Sequence, residues 1–140
     1  MAIEAFVWSY KNGEPTPIRL ANVLRAFEEA GAKWELASGC LHLEFGGAPH
    51  TCDVFVDTDA AETDRVRGLM ISRPIRTAAL WQGVLRILSE QHAILFFSDD
   101  TTPRLWDLHS LEHIPADLIA SLGTPLQVRT PEDILAGHAR

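Results

Sequence analysis

The pairs Cys40-x-His42 and His50-x-Cys52 are the residues of this chain nearest, in type and spacing, to a metal centre. Thiolate and imidazole are zinc ligands, and a spacing of two places both members of a pair on one face of a strand. For all four to share a face, Cys40 must lie opposite Cys52 and His42 opposite His50, so that paired residue numbers sum to an even value. The apolar residues demand the reverse. Leu41, Leu43 and Phe45 form the apolar set of the earlier strand and Cys52, Val54 and Val56 that of the next, and a common core face requires an odd sum. That register predicts a buried Cys52, solvent-facing histidines and no metal site.

Other chemistry-bearing groups fare similarly. His109 and His113 would share a face only on a helix, whereas Pro115 and the irregular pattern around them argue for a loop. Glu112 precedes the second histidine instead of following the first, so the His-Glu-x-x-His order of zinc hydrolases is missing. Asp57, Asp59, Glu62 and Asp64 form an acidic run after a strand, and an Asp-x-Asp at a strand end can hold magnesium or a phosphoryl group. This spacing is similar to that of haloacid-dehalogenase-type phosphatases, but Ala60 and Ala61 stand where their pattern has Gly and Thr or Val. Counted from Asp57 as a calcium loop, the places that need Gly and Glu hold Glu62 and Gly68. The segment from Asp57 to Asp64 therefore reads as a solvated acidic loop. Neither a Gly-x-Ser-x-Gly elbow nor a glycine-rich phosphate or dinucleotide loop occurs. The sequence points to no catalytic residue, no metal and no cofactor.

Composition sets the frame for these groups. The 140 residues are 46% hydrophobic and 22% charged, which predicts one ordered globular domain over residues 1–140. The longest apolar stretches, such as Ala93 to Phe97, fall far short of the roughly twenty residues a spanning helix needs. Met1 to Tyr10 lacks the basic start and cleavage site of a secretory signal. The expectation is a cytoplasmic protein with Cys40 and Cys52 as reduced thiols. A net charge of -7 repels a phosphate backbone and attracts basic partners, so neither nucleic acid nor membrane is expected as a ligand.

The elements follow from pattern. Ile3 to Tyr10 reads as a strand ended by Lys11-Asn12-Gly13-Glu14-Pro15, and Leu20, Val23, Leu24, Phe27 and Ala30 have helical spacing closed by Gly31. Trp34, Leu36, Leu41, Leu43 and Phe45 alternate about Ser38-Gly39 as a hairpin, with strands at Thr51 to Val56 and Val66 to Ser72 beyond it. Thr77 is placed to cap a second helix whose apolar residues Leu80, Trp81, Val84, Leu85, Ile87 and Leu88 must lie against a sheet. Ala93 to Phe97 and Arg104 to Leu108 read as a second hairpin. Pro115 opens a helix to Leu122, Leu126 to Arg129 adds a short strand, and Thr130-Pro131-Glu132-Asp133 starts a terminal helical turn. The fold class is α+β, with a mainly antiparallel sheet of about six to eight short strands, two principal helices and short C-terminal helical segments.

Four tryptophans are many for such a chain, and tryptophan serves both cores and binding hot spots. Trp81 belongs to the core. Trp106, beside Asp107 after a proline-containing turn, reads either as packing across the hairpin or as an exposed anchor. The acidic segment Asp57, Asp59, Glu62 and Asp64, together with Asp99, Asp100, Trp106 and Asp107, is the candidate partner-binding set. In size, charge and strand-helix-hairpin order the chain resembles the small immunity proteins that bacteria pair with polymorphic or type VI secreted toxins. The resemblance implies stoichiometric inhibition of a basic toxin, with carboxylates meeting its Lys and Arg and aromatics supplying the anchor. Two further readings are a metal-assisted hydrolase or ligand-binding domain using Asp57, Asp59 and the histidines, and a structural or regulatory subunit that forms a homodimer.

Overall fold

Alternation of inward and outward side chains builds the sheet. In the computed structural model, which describes residues 3–46, 50–58, 64–99 and 102–136, strand β1 (Glu4–Lys11) turns Ala5, Val7 and Ser9 to one side and Phe6, Trp8 and Tyr10 to the other. Asn12 and Gly13, both at positive φ, close a tight hairpin onto β2 (Glu14–Pro15), as Asn-Gly does in a primed turn. A short β3 (Ile18–Arg19) then leads into helix α1 (Leu20–Glu29). That helix ends in a Schellman motif. Gly31 at φ 104° lets its own N–H reach the Glu28 carbonyl and the Ala32 N–H reach the Phe27 carbonyl, both at 3.0 Å.

Strands β4 (Lys33–Ala37) and β5 (Cys40–Glu44) form the expected hairpin about Ser38-Gly39, followed by β6 (Thr51–Thr58) and β7 (Arg65–Ser72). Helix α2 (Ala78–Glu90) crosses from β7 to β8 (Ala93–Phe97). Both of these strands are antiparallel to β1, which lies between them, so β7-α2-β8 is a parallel crossover straddling the first strand. The chain then runs through β9 (Arg104–Leu105), a 3₁₀ helix (Leu108–His113), α3 (Ala116–Leu122), β10 (Leu126–Gln127) and α4 (Pro131–Ala136).

The sheet has ten strands in the order β10-β9-β8-β1-β7-β6-β5-β4, with β2 attached to β1 and β3 to β7. All pairs are antiparallel except β10 with β9. The class is the expected α+β and mostly antiparallel. The strand number exceeds six to eight because several segments of two residues, too short to show a period, still join the ladder.

Helices α1 and α2 cover the face that carries Val7, Leu41, Leu43, Val54, Leu69, Ile71 and Leu95, all essentially buried. They approach closely at Gly83, where a Cβ would stand 2.5 Å from the Phe27 ring, so the helix interior accepts the cost of glycine to let the helices meet. Trp81 is buried here as expected, its indole N–H donating to the Ile75 carbonyl at 3.0 Å.

Several boundaries differ from the sequence reading. Asp57 and Thr58 extend β6 rather than opening a loop, and a bulge between Val56 and Thr58 accommodates them. The second hairpin is only two residues wide on its return strand, because the chain leaves the sheet after Leu105 and winds into the 3₁₀ helix. There Asp107 accepts a bond from the His109 N–H at 3.0 Å. Likewise β10 stops at Gln127. Thr77 occupies the N-cap position of α2, but its hydroxyl lies 3.2 Å from His50 Nδ1 and makes no cap bond. Thr130 does cap α4: its hydroxyl accepts from the Asp133 N–H while Asp133 accepts from the Arg129 and Thr130 amides. These bonds hold the exposed Asp133 carboxyl below its usual range.

Candidate functional site

Among the described residues no long helix lies on the second face of the sheet. At its β8 end the 3₁₀ helix and α3 fold back and bury Tyr10, Ile94, Leu105 and Ile114 in a smaller core. From β1 towards β5 the face is open. Cross-strand register there places Phe96, Phe6, Met70, Phe55 and Cys40 side by side on β8, β1, β7, β6 and β5, an apolar row nearly perpendicular to the strands. Phe55 is 42% exposed and Trp8 36%, while Phe6, Met70 and Phe96 are half-buried. Phe6 stacks on Phe96 at 5.2 Å, and Trp8 meets Phe96 edge-on at 4.9 Å. Trp8 lies over Gly68, whose Cβ, were there one, would stand 2.7 Å from the indole. The result is a shallow groove of about 650 Å³ floored by Phe6, Trp8, Phe55, Gly68 and Met70.

Charged rows flank the groove. Along one side the same register aligns Glu4, Ser72, Asp53, His42 and Glu35 across β1, β7, β6, β5 and β4. Within this row His42 Nδ1 and Asp53 Oδ1 are 2.7 Å apart, whereas Glu4 and Glu35 make no ion pair among the described residues. On the opposite side Asp57 pairs with Arg67 at 3.2 Å. The outer surface of the helices differs: Arg86 pairs with Glu29 at 2.7 Å and with Glu90 at 3.4 Å, and Arg25 with Glu90 at 3.3 Å.

The β5–β6 register is the odd-sum one, with Leu41 opposite Val54 and Leu43 opposite Cys52. Cys52 is buried on the covered face and its thiol is pushed up to about 11, chiefly by burial. Cys40 and His42 lie on the open face. Cys40, His42 and Asp53 thus share a surface, as the members of a cysteine-nucleophile triad must. Desolvation first and Asp53 second, however, raise the Cys40 thiol, which is the reverse of what a thiolate nucleophile requires. Among the described residues no group of three or more His, Cys, Asp or Glu side chains is arranged to hold a metal ion.

The expected partner-binding residues are dispersed. Asp57 is on the open face beside the groove. Asp64 is exposed and ties the start of α1 through its carbonyl, which accepts from the Leu20 N–H at 2.8 Å. Asp99 follows β8 at the opposite end of the strands from Asp57, and Asp107 follows β9, with β8, β1 and β7 between it and β6. Asp99 and Asp107 are therefore not adjacent to Asp57. Trp106 is half-buried against the main core with the Arg129 guanidinium 4.4 Å over its ring, so it is packed rather than offered as an anchor. Asp59, Glu62 and Asp100 lie outside the described residues.

His109 and His113 fall on a 3₁₀ helix, where residues four apart diverge. His113 instead stacks on His92, ring centres 3.9 Å apart, and its Nδ1 accepts from the Asn12 N–H at 3.1 Å. Arg104, read only as a strand residue, is fully buried; it donates to the carbonyls of Thr102 and of Ile134, the latter at 3.2 Å, and so fastens α4 to the sheet.

No family model, curated protein or solved structure matches this chain.

Proposed function

We propose that this chain is a non-catalytic protein-binding domain that docks a basic, partly apolar segment of another protein on the open sheet face, in the manner of an immunity-type inhibitor of a basic toxin. The observation that carries the reading is the apolar row Phe96-Phe6-Met70-Phe55 beside a row containing Glu4, Asp53 and Glu35. Aromatic and methionine side chains left half in water are the composition of interface cores, and Met adapts its shape to a partner at little cost. Glu4 and Glu35, which make no ion pair among the described residues, lie next to such a core and favour arriving Lys or Arg over acidic competitors. The net charge of -7 adds long-range attraction of the same sign. The acids and Trp106 first expected to form the site give way to the open face, of which Asp57 is the shared member.

Incorporating a photoactivatable phenylalanine analogue at position 55 in the native cell tests the proposal. Irradiation is expected to cross-link one predominant protein whose contact segment is basic, and the cross-link should be lost on Met70→Asp and weakened by added salt. Inhibition of that protein's own activity at one-to-one stoichiometry would distinguish an inhibitor from a scaffold. The same cross-links from an analogue at position 126, on the far edge strand, would refute a docking role for this face.

A further inference from the structure

The two edges of the sheet are unequal. Strand β10 offers two residues, whereas β4 offers five, Lys33–Ala37, of which all but Leu36 are exposed. We propose that β4 is a self-association edge, along which two copies of this chain pair antiparallel about Trp34 to make one continuous sheet.

The backbone sets which registers are open. Ala37 and Cys40 flank the two-residue Ser38-Gly39 turn and form the hydrogen-bonded pair that closes the hairpin. Bonding alternates along an antiparallel pair, so Lys33 and Glu35 also bond to β5, while the amide and carbonyl of Trp34 and Leu36 point away from the sheet. Two such edges satisfy these groups only when even-numbered residues face even-numbered residues.

Side chains then choose among those registers. Centring on Glu35 sets it against the partner's Glu35, and centring on Lys33 sets it against the partner's Lys33. Centring on Leu36 leaves Glu35 opposite the partner's Ala37 with no charge pair. Centring on Trp34 places Lys33 opposite the partner's Glu35, and by symmetry does so twice. A lone lysine on an edge blocks pairing; Lys33 and Glu35 together oppose the Lys33- and Glu35-centred registers, leave the Leu36-centred one without a charge pair, and favour only the register centred on Trp34. In that register Trp34, 39% exposed in the single chain, meets the partner's Trp34 on the two-fold axis. The Ala32 N–H is already donated to Phe27 at 3.0 Å, which limits the ladder to the Trp34 pair and the Leu36 amides reaching the partner's Ala32 carbonyl. So short an interface is expected to be reversible and salt-sensitive.

Mass measurement by light scattering or sedimentation on the full chain, over a range of concentrations, tests the inference. The wild type is expected to approach twice the 15.5 kDa of one chain as concentration rises. Glu35→Lys should leave it monomeric, and the double exchange Lys33→Glu with Glu35→Lys should restore the dimer, because the reversed charges again complement each other. Both positions are on an exposed edge, and circular dichroism confirms that each variant is folded. A wild type that stays monomeric at every concentration overturns the proposal, as does a dimer that Glu35→Lys leaves intact or that the double exchange fails to restore. A dimer abolished by Phe55→Ser but not by Glu35→Lys would show that copies meet through the open face instead.

Discussion

The two faces of one sheet, read strand by strand, use opposite residue types. On β1 the covered face has Ala5, Val7 and Ser9 and the open face has Phe6, Trp8 and Tyr10; on β6 the covered face has Cys52, Val54 and Val56 and the open face has Asp53, Phe55 and Asp57. The smaller, branched residues lie beneath α1 and α2, and the larger aromatics lie on the face that those two helices leave uncovered. A folding core needs filled volume against α1 and α2, which bring their own Phe27, Leu80, Trp81 and Leu88, so modest strand side chains suffice there. Opposite, Tyr10 is used by the smaller core, but Trp8 and Phe55 remain exposed beyond what the packing of the described residues uses. That excess separates a face built for stability from one built for contact.

Truncation on the covered face should have the largest effect. Leu69→Ala removes a side chain that is 1% exposed between β1, β6 and the helices, and is expected to cost about 2–5 kcal/mol in urea unfolding. A loss below about 1 kcal/mol would mean that the helices do not pack on this face as tightly as its burial requires.

The two cysteines sharpen the comparison by titration, one on each face. In Cys52 the thiol at about 11 exceeds its ordinary value of 9.0, so the folded state holds the proton more tightly than the unfolded chain. The associated stability is complete below pH 9 and is lost as pH rises towards 11; two such units correspond to about 3 kcal/mol. Cys52→Ala should flatten the alkaline limb of a stability–pH curve, and Cys40→Ala should alter it far less. In labelling experiments on the native protein Cys40 should react with a thiol reagent while Cys52 is protected until unfolding. Equal reactivity of both thiols in the native state would contradict the assignment of faces.

How much of this was legible beforehand depended on the length of each pattern. Strands with alternating apolar positions, such as Cys40–Glu44 and Thr51–Thr58 (read as Thr51 to Val56), gave the odd parity of their register from sequence alone, because a slip of one residue would have turned Leu41 or Val54 into solvent. The α1 stop at Gly31 and the Asn12-Gly13 turn were legible for the same reason: each needs a positive φ that few residues tolerate. The open face was not. Phe6 and Trp8 looked like ordinary strand aromatics, since alternation says that two faces differ without saying which the helices will cover. The surroundings of Trp106, left open between packing and an anchor, and of Arg104, read only as a strand residue, were not legible, because what decides each is a contact from the far C-terminal segment, Arg129 in one case and Ile134 in the other. The acidic residues drew attention by their clustering along the chain, but strand order places β6, β8 and β9 apart and so separates Asp57, Asp99 and Asp107.

Where the C-terminal segment folds over the second face, the contact is sensitive to protons. His92 is lowered from its ordinary range, mainly by desolvation, then by the neighbouring His113 and Lys11, with Asp107 opposing. A histidine that is harder to protonate in the folded chain contributes stability that is complete above its unfolded value, about 6.5, and declines as pH falls through that value towards the lowered native one. Thermal stability should therefore decline between neutral and mildly acidic pH, modestly because His92 is exposed. His92→Gln should reduce that decline, and a variant with an unchanged pH profile would remove the imidazole pair from the account.

The smallest stability effect should come from the residue that matters most to the proposed contact. Phe55 is 42% exposed and is flanked within the sheet by Met70 across the β6–β7 pair and by Cys40 across the β5–β6 pair. Phe55→Ser removes area that already faces water, so the unfolding midpoint should move by no more than about 0.5 kcal/mol's worth, as for other surface substitutions. Leu69→Ala, one strand away but facing the helices, changes stability by several times that amount while leaving every open-face side chain in place. Binding of the cross-linked partner should show the opposite ranking, abolished by Phe55→Ser and retained by folded Leu69→Ala. If Phe55→Ser instead destabilised the chain as Leu69→Ala does, the open face would be part of the fold's own support, and its aromatics would need no partner to explain them.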